Sequence, residues 1–552
     1  MAAMKWWGWG HEGLEFTHED KPDLAPFIER VLGIRVGSRT ETPVRFEDLP
    51  VPEPSLPDEL RGALEGAVGA DFVSVDRLDR VVHARGKSLR DLILQRRGEL
   101  RRVPDVVVHP GTEEEVAAVM HAALHGDAVL IPFGGGSSIS GSLEAPADES
   151  RTVISVDLGR LDRVLDIDGP SRLARVQAGV SGPDLEEQLA ARGYTLGHFP
   201  DSFSHSSLGG WIATRSSGMQ SDRYGDIADL TKGLRVVTPS GTLVTNPVPA
   251  SSTGPSVRQM VLGSEGRLGI ITEATVEVRR LPQKRIILGY LFPTFAAGLA
   301  AIRAIVESEC SVSVTRVSDA HETQFSFATR KAPTPLDKLQ SRVLREFLQR
   351  RLGYDIEAMA LSFIGFEGSE AHVARERKAV GRIVKANNGL CIGSGPGALY
   401  DQKKFDTPYI RDFLLDRGVA GDVSETAMPW SRLTPVYDAV IAAAEHAFSE
   451  LGVQGYIMCH LSHSYHAGAC LYFTFAFPPS PGGDMLAEYD VVKSAIQQTF
   501  VDNGATVSHH HAVGTEHARW LGQDISEPGL VMLRALFDGT DPGRHLNPGK
   551  IV

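Results

Sequence analysis

Cysteine is scarce. The four thiols, Cys310, Cys391, Cys459 and Cys470, form no CxxC pair and no zinc-ligand spacing, which excludes a disulfide-stapled scaffold and a zinc ribbon and leaves reduced, buried thiols as the plain reading. Long apolar runs are missing too. No stretch approaches the roughly 18 residues that span a bilayer, and the start, MAAMKWWGWGHEG, lacks the apolar core of a signal peptide, so the expectation is a cytoplasmic protein. Trp6, Trp7 and Trp9 leave two uses open: a dip into a membrane surface, which would put the protein at the membrane periphery, or docking on the protein itself. Positive charge is in deficit, with 56 Lys and Arg against 69 Asp and Glu and a net charge of −13, which argues against a nucleic-acid partner. A local basic pocket is still allowed, because the field inside a cleft depends on the few charges that line it.

Glycine is what the chain has in excess. Its 56 copies in 552 residues are about a tenth of the sequence against a usual share of about 7%, which points to many places of sharp turning or close backbone approach. At 552 residues the chain exceeds the roughly 100–200 of one domain. Residues 1–98 read as a helical segment interrupted by an extended connector at Pro50, Pro52, Pro54 and Pro57. From there short β-branched strands alternate with helices. One of these, TEEEVAAVMHAALHG, has Thr112 and Glu115 in capping-box spacing, and another, SGPDLEEQLAARG, carries Pro183 in its first turn. A boundary falls near Pro282, after which KRIILGYLF, EAMALSFIGF and GACLYFTFAF suggest an antiparallel sheet covered by helices. The fold class is α+β, with units at 1–98, 99–282, 283–502 and 503–552; the last has loop-rich texture and is expected to return to the second unit.

Chemistry concentrates in a few segments. IPFGGGSSISG, 131–141, offers backbone N–H groups and hydroxyls suited to an anion, yet it fits neither GxGxxG nor a Walker loop, and alone such a loop reads as a turn. Two more Gly/Ser loops follow, PDSFSHSSLGGWIATRSSGMQSDRYGD at 200–226 and LGSEGRLGIITEA at 262–274, and three such loops can line one groove. SHHHAVG, 508–514, carries three successive imidazoles. Metal binding is the lesser reading, because adjacent side chains diverge, and proton transfer near neutral pH is the better one.

In this order, the three loops resemble the FAD-binding domain of the vanillyl-alcohol-oxidase flavoprotein superfamily. Within it the chain is similar to the alkyldihydroxyacetonephosphate synthase (alkylglycerone-phosphate synthase) family, a likeness that also takes in MKWWGWG, VDRLDRVVHARGKSL, YIRD, SYHAGACLYFTFAF and SHHHAVG and so covers essentially the whole chain. The resemblance implies a two-part FAD-binding fold with an α+β cap. It places flavin contacts on Pro132, Phe133, Gly134, Gly135, Gly136, Ser137 and Ser138, and on Asp201, Ser202, Phe203, Ser204, His205, Ser206 and Ser207. Further contacts fall on Thr214, Arg215, Ser216 and Ser217, and on Glu265, Gly266, Arg267, Leu268, Gly269, Ile270 and Ile271. Glycine there would let backbone approach the cofactor. The loop from Gly134 to Gly141 has no His or Cys, so FAD is expected to be noncovalent, and no metal is expected.

By the same resemblance Tyr465 is the proton acceptor and donor, with His509, His510 and His511 as its catalytic company, Arg411 holds a substrate phosphate, and Arg316 keeps site geometry. A tyrosine of ordinary pKa near ~10 needs imidazoles or cations nearby to act as a base, and His460, His463 and His466 are candidates beside the triplet. Two departures stand out: Ala512 where the family has Gly, and His460, His463 and His466 where Arg, Gln and Asp are expected. The implied activity exchanges the acyl group of acyl-dihydroxyacetone phosphate for a long-chain alcohol without net redox, on lipid substrates and in a homodimer. The alternative is FAD-linked oxidation of a 2-hydroxy acid such as lactate or glycolate, and a flavin-binding scaffold without catalysis is the third class.

Overall fold

The computed structural model describes residues 5–37, 39–332, 335–403, 405 and 407–552. Met4, the first residue of MKWWGWG, lies outside them. Three large β-sheets organise the chain, beside a two-stranded ribbon of Tyr194–Thr195 and Arg279–Arg280. The first has strands Val73–Ser74, Val106–Val108, Val153–Asp157 and Val129–Phe133 in that order, the last three mutually parallel. Val106, Val107 and Val108 are all buried, as expected of a parallel strand covered on both faces. The second sheet is antiparallel and runs Val164–Asp168, Leu173–Gln177, Ile270–Glu277, Thr231–Thr238, Gly241–Val244. One apolar core joins the two, because Val237 and Ile270 of the second pack with Val106, Leu130 and Ile154 of the first.

The third sheet is the cap. Seven antiparallel strands run Leu390–Gly393, Lys284–Phe292, Ala360–Gly368, Val314–Ser318, Tyr456–Ser464, Gly468–Phe477, Ala420–Pro429. Helices Phe295–Glu307, Glu370–Ala386, Leu433–Leu451 and Met485–Asp502 share its largest core.

The C-terminal end of the chain departs from one expectation. The stretch read as loop-rich contains the helix Ala518–Thr540, whose sequence is disguised by Pro528 and by a break at Ser526, where φ is +68°. After it, Leu546 bridges Leu130 of the first sheet. Of the two uses open to the aromatic start, docking is the one seen: Trp6 packs with Leu49, Val81 and Val82, Trp9 is buried and its N–H donates to Asp412 Oδ2 at 2.8 Å, and Lys5 and Arg96 lie over the Trp7 ring. The capping box at Thr112 is half made. Thr112 caps Glu115 N–H, but the Glu115 carboxylate turns outward to accept from Gly111 N–H at 2.6 Å. No helix among the described residues is long and apolar enough to cross a membrane.

Candidate active site

A cavity of about 460 Å³ lies where the cap meets the first two sheets. Part of its wall is formed by Pro132 to Ser138, by Asp201, Ser202, Ser206 and Ser207, by Thr214, Ser216 and Ser217, and by Glu265, Gly266, Gly269 and Ile271. Arg316, Arg411, His460, His463, His510 and His511 also face it. An apolar part of the wall, Phe16, Leu24, Phe27, Ile28, Phe325 and Phe413, belongs to one hydrophobic cluster. The volume falls in the range of ligand and cofactor sites.

The remaining residues expected to touch the flavin are not on this wall. Phe203 stacks on Phe405 with ring centroids 5.1 Å apart, His205 Nε2 pairs with Tyr409 Oη at 2.8 Å, and Ser204 sits between them in the same short turn. Arg215 is exposed and bonds Gln259. Arg267 donates to Lys550 O and lies over Phe537, Leu268 packs with Val507 and Trp520, and Ile270 points into the core of the first sheet while its strand neighbour Ile271 faces the cavity.

Glycine in the first loop also serves packing between loops. A Cβ on Gly134 would lie 2.2 Å from Ser207 Oγ, and one on Gly135 would lie 1.9 Å from His205 O. The first loop thus packs on the second, and the missing side chains allow that contact. Among the described residues the N–H groups of Gly135, Gly136 and Ser137 take no protein acceptor. Unpaired donors on a cavity wall, beside the hydroxyls of Ser137, Ser138, Ser206 and Ser207, fit the pyrophosphate of a dinucleotide.

The imidazole cluster is assembled by two buried carboxylates. Glu425, on strand Ala420–Pro429, accepts from Ser508 Oγ at 2.7 Å and from the N–H groups of His509, His510 and His511 at 2.7, 3.1 and 3.1 Å. Against the cost of burial, these neighbours hold it well below the usual carboxylate range. Glu265, expected to meet the flavin, spends its carboxylate on Val513 and Gly514 N–H, each at 3.0 Å, and on Ser142 Oγ at 2.5 Å. Ala512, between the two anchors, has φ +73°, the conformation that glycine adopts without strain.

Tyr465 occupies the hairpin turn between Tyr456–Ser464 and Gly468–Phe477. Its hydroxyl meets Asp226 Oδ2 at 2.9 Å and His509 Nε2 at 2.5 Å, and His509 Nδ1 meets His510 Nδ1 at 2.9 Å. Tyr465 and His509 are not on the cavity wall; His510 is. Burial and then the Asp226 carboxylate push the Tyr465 phenol far above its ordinary value. Burial lowers His463, takes His510 well below its ordinary value and brings His511 to about 4, so these imidazoles are neutral near pH 7. His460, lowered to about 4 by burial and Arg316, takes Arg316 Nη2 at 3.2 Å on its Nδ1, while the same Nη2 donates to Glu322 Oε1 at 2.5 Å, and it does not serve Tyr465. His466 is exposed in the turn. Arg411 faces the cavity with Nη1 on Lys87 O and Nη2 on Asp422 Oδ1, at 2.8 and 2.7 Å, which leaves further donors of its fork free for an oxyanion.

Two partners escaped sequence reading. Asp226 ends the YGD of the second loop, a weak signal. Glu425 lies in a strand where Asp422, Ser424, Glu425 and Thr426 are all buried; such polar density inside a sheet is the trace it leaves.

The chain matches the family model described as FAD binding domain over residues 104–246 and that described as FAD linked oxidases, C-terminal domain, over 281–551. It is 38% identical over 573 residues to an alkyldihydroxyacetonephosphate synthase of Dictyostelium discoideum, covering 100% of this chain and 93% of that protein. The chain belongs to the alkyldihydroxyacetonephosphate synthase family. A solved alkyldihydroxyacetonephosphate synthase superposes with a TM-score of 0.86 at 35% identity, covering 99% of each chain. A mitochondrial D-lactate dehydrogenase [cytochrome] of Arabidopsis thaliana is more distant, 26% identical over 528 residues, covering 94% of this chain and 84% of that one. The fold is therefore the vanillyl-alcohol-oxidase type expected, with its cap, and the cofactor is FAD.

Proposed function

We propose that this enzyme exchanges the acyl group of an acyl-dihydroxyacetone phosphate for a long-chain alcohol, forming the ether bond of an ether lipid without net oxidation. The observation that carries this reading is the single cavity that joins a dinucleotide cradle, an arginine fork and an apolar wall. An alkyl chain fits among Leu24, Phe27, Ile28 and Phe413; a small hydroxy acid would leave that wall unused. The FAD linked oxidase relative named for D-lactate is also the more distant one.

FAD, when bound, supplies an electron-poor ring that can take up and return a carbon nucleophile. Pro132–Ser138 and the facing serines would hold it, without a covalent link from the loop Gly134–Gly141, and flavin should leave with acid denaturation. Arg411 holds the phosphate, and neutral His510 and His511 offer and accept hydrogen bonds at the reacting end.

The proton path follows from counting hydrogens. Tyr465 has one proton, donated to Asp226, so at its 2.5 Å contact with His509 it accepts; His509 then carries hydrogen on Nε2, and its Nδ1 must accept from His510 Nδ1. Every donor in the chain points toward Asp226. A proton delivered to the cavity face of His510 therefore shifts one bond at each step and ends on Asp226, and the reverse sequence returns it to the departing group. Tyr465 acts here as a relay, which reconciles its role with a phenol too weakly acidic to stand as a free base.

The test is incubation with acyl-dihydroxyacetone phosphate and labelled hexadecanol. Label in an alkali-stable ether supports the reading; no label, with flavin bleached by a hydroxy acid under anaerobic conditions, overturns it. Tyr465→Phe should abolish exchange with FAD retained, and loss of FAD in that variant would instead mark Tyr465 as structural.

A further inference from the structure

The proton chain uses His509 and His510 but leaves unexplained what stands beside them. His463 on one strand of the cap hairpin, Cys470 on the other, and His509 and His510 on the triplet loop each bring one donor atom within 4.8 Å of all the others. Cys470 and His463 are buried, and the imidazole rings of His463, His509 and His510 have centroids 5.1 to 5.3 Å apart.

Three features go beyond proximity. His463 Nε2 lies 3.0 Å from the carbonyl of Gly218, so its hydrogen sits there and Nδ1 keeps the lone pair, which accepts from Ser462 Oγ at 2.9 Å until an ion displaces that hydroxyl. His509 Nε2 is likewise engaged outward, by Tyr465 with Asp226 behind it, which leaves its Nδ1 facing inward against Nδ1 of His510. An imidazole whose far nitrogen is held by a carbonyl or by a carboxylate-linked group is the arrangement that orients metal-bound histidines. The fourth donor is a thiol, and three imidazole nitrogens with one sulfur suit a borderline ion that accepts tetrahedral coordination. Tetrahedral bonds of about 2.0–2.3 Å set donors about 3.3–3.7 Å apart, so the side chains must close by roughly 1 Å from their present spread.

We propose that His463, Cys470, His509 and His510 form a binding site for a borderline divalent cation such as Zn²⁺, and that filling it withdraws His509 and His510 from the proton chain. On binding, the Cys470 thiol loses its proton to solvent and His510 moves its hydrogen from Nδ1 to Nε2, so that each donor presents a lone pair. The hydrogen bond between His509 and His510 is then replaced by two bonds to the ion, and His510 no longer passes a proton inward. The site is thus an inhibitory one, built from the same residues that serve turnover. The inhibition rests on the relay described above; the binding does not.

The FAD-loaded protein, stripped with a chelator, is titrated with Zn²⁺ by equilibrium dialysis. One equivalent per chain is expected, with affinity at least about tenfold weaker in Cys470→Ser and unchanged in Cys459→Ser and in Cys391→Ser, whose thiol is exposed. No stoichiometric binding, or binding that survives Cys470→Ser and disappears in Cys391→Ser, overturns the site. Co²⁺ added to the parent protein should give tetrahedral visible bands to the red of flavin absorption, and their absence overturns it even if Cys470→Ser fails to fold. Both readouts need no turnover, so they are independent of the synthase reading. Exchange activity should fall with occupancy and return with chelator; full occupancy with unaltered exchange overturns the inhibitory role, whereas an absence of exchange before any metal is added would point to the function reading instead.

Discussion

The Gly/Ser wall of the cavity, where FAD is proposed to lie, is made from backbone: Gly134 and Gly135 pack on His205 to Ser207, and N–H groups without a protein acceptor stand there with short hydroxyls. The proton chain is made from side chains of Asp226, Tyr465, His509 and His510, drawn from three distant segments and set in place by Glu425 and Glu265. A backbone cradle tolerates exchange of side chains but no added carbon at its crossings. A side-chain chain tolerates small shifts in backbone but no change in the count of hydrogens. The two should therefore fail in different ways, one through loss of FAD and the other with FAD in place.

The strongest test of that contrast is Gly135→Ala. Its Cβ would lie 1.9 Å from a carbonyl oxygen that cannot move without dragging the second loop, so overpacking on the order of 1–3 kcal/mol should cost most of the bound FAD, read from flavin absorbance after gel filtration. Retained FAD with lost exchange would erase the distinction. Glu425→Gln is its counterpart. One amide cannot accept from all four donors that now share the carboxylate, so the His loop should loosen by about 3 kcal/mol and exchange fall by roughly two orders of magnitude or more while FAD stays bound.

Asp226→Asn sharpens the comparison within the chain itself. The amide oxygen can still accept from Tyr465 but cannot store a proton, so exchange should drop about 10²-fold. Because the carboxylate is one cause of the raised phenol pKa, its removal should also move any alkaline limb of the pH profile downward. Acid should find the imidazole side first. His460 and His511, each near 4 in the folded state against about 6.5 unfolded, bind protons only after unfolding, so stability falls as pH drops from 6.5 toward 4. Each contributes on the order of 2 kcal/mol of loss by pH 5, measurable as a lower Tm there than at pH 7. The smallest expected effect is Ala512→Gly, which relieves the φ of +73° and should raise stability by up to about 1 kcal/mol in a denaturant titration.

The cradle was legible because its information is local. IPFGGGSSISG and the two later loops are contiguous Gly/Ser segments whose order carries the resemblance, and the helix with Pro183 in its first turn appears where that residue places it. The helix Ala518–Thr540 was missed for the same local reason, since Pro528 and the glycines around it read as loop until the packing of Trp520, Leu521 and Phe537 is seen.

By itself the sequence determined the α+β class and the identity of the chemical groups, because strand and turn texture is set by neighbours along the chain; the FAD cradle came from the resemblance that the order of the three loops carries. Only the tertiary structure decided how those groups are wired. It turned Arg267, Leu268 and His205 away from the cavity, assigned Glu265 to the His loop, set His460 against Glu322, and brought Asp226 to a tyrosine 239 residues away. The physical reason is burial. A carboxylate removed from water must find donors wherever the fold supplies them, and the strand carrying Glu425 meets the triplet loop 84 residues downstream only after both have packed against the same sheet.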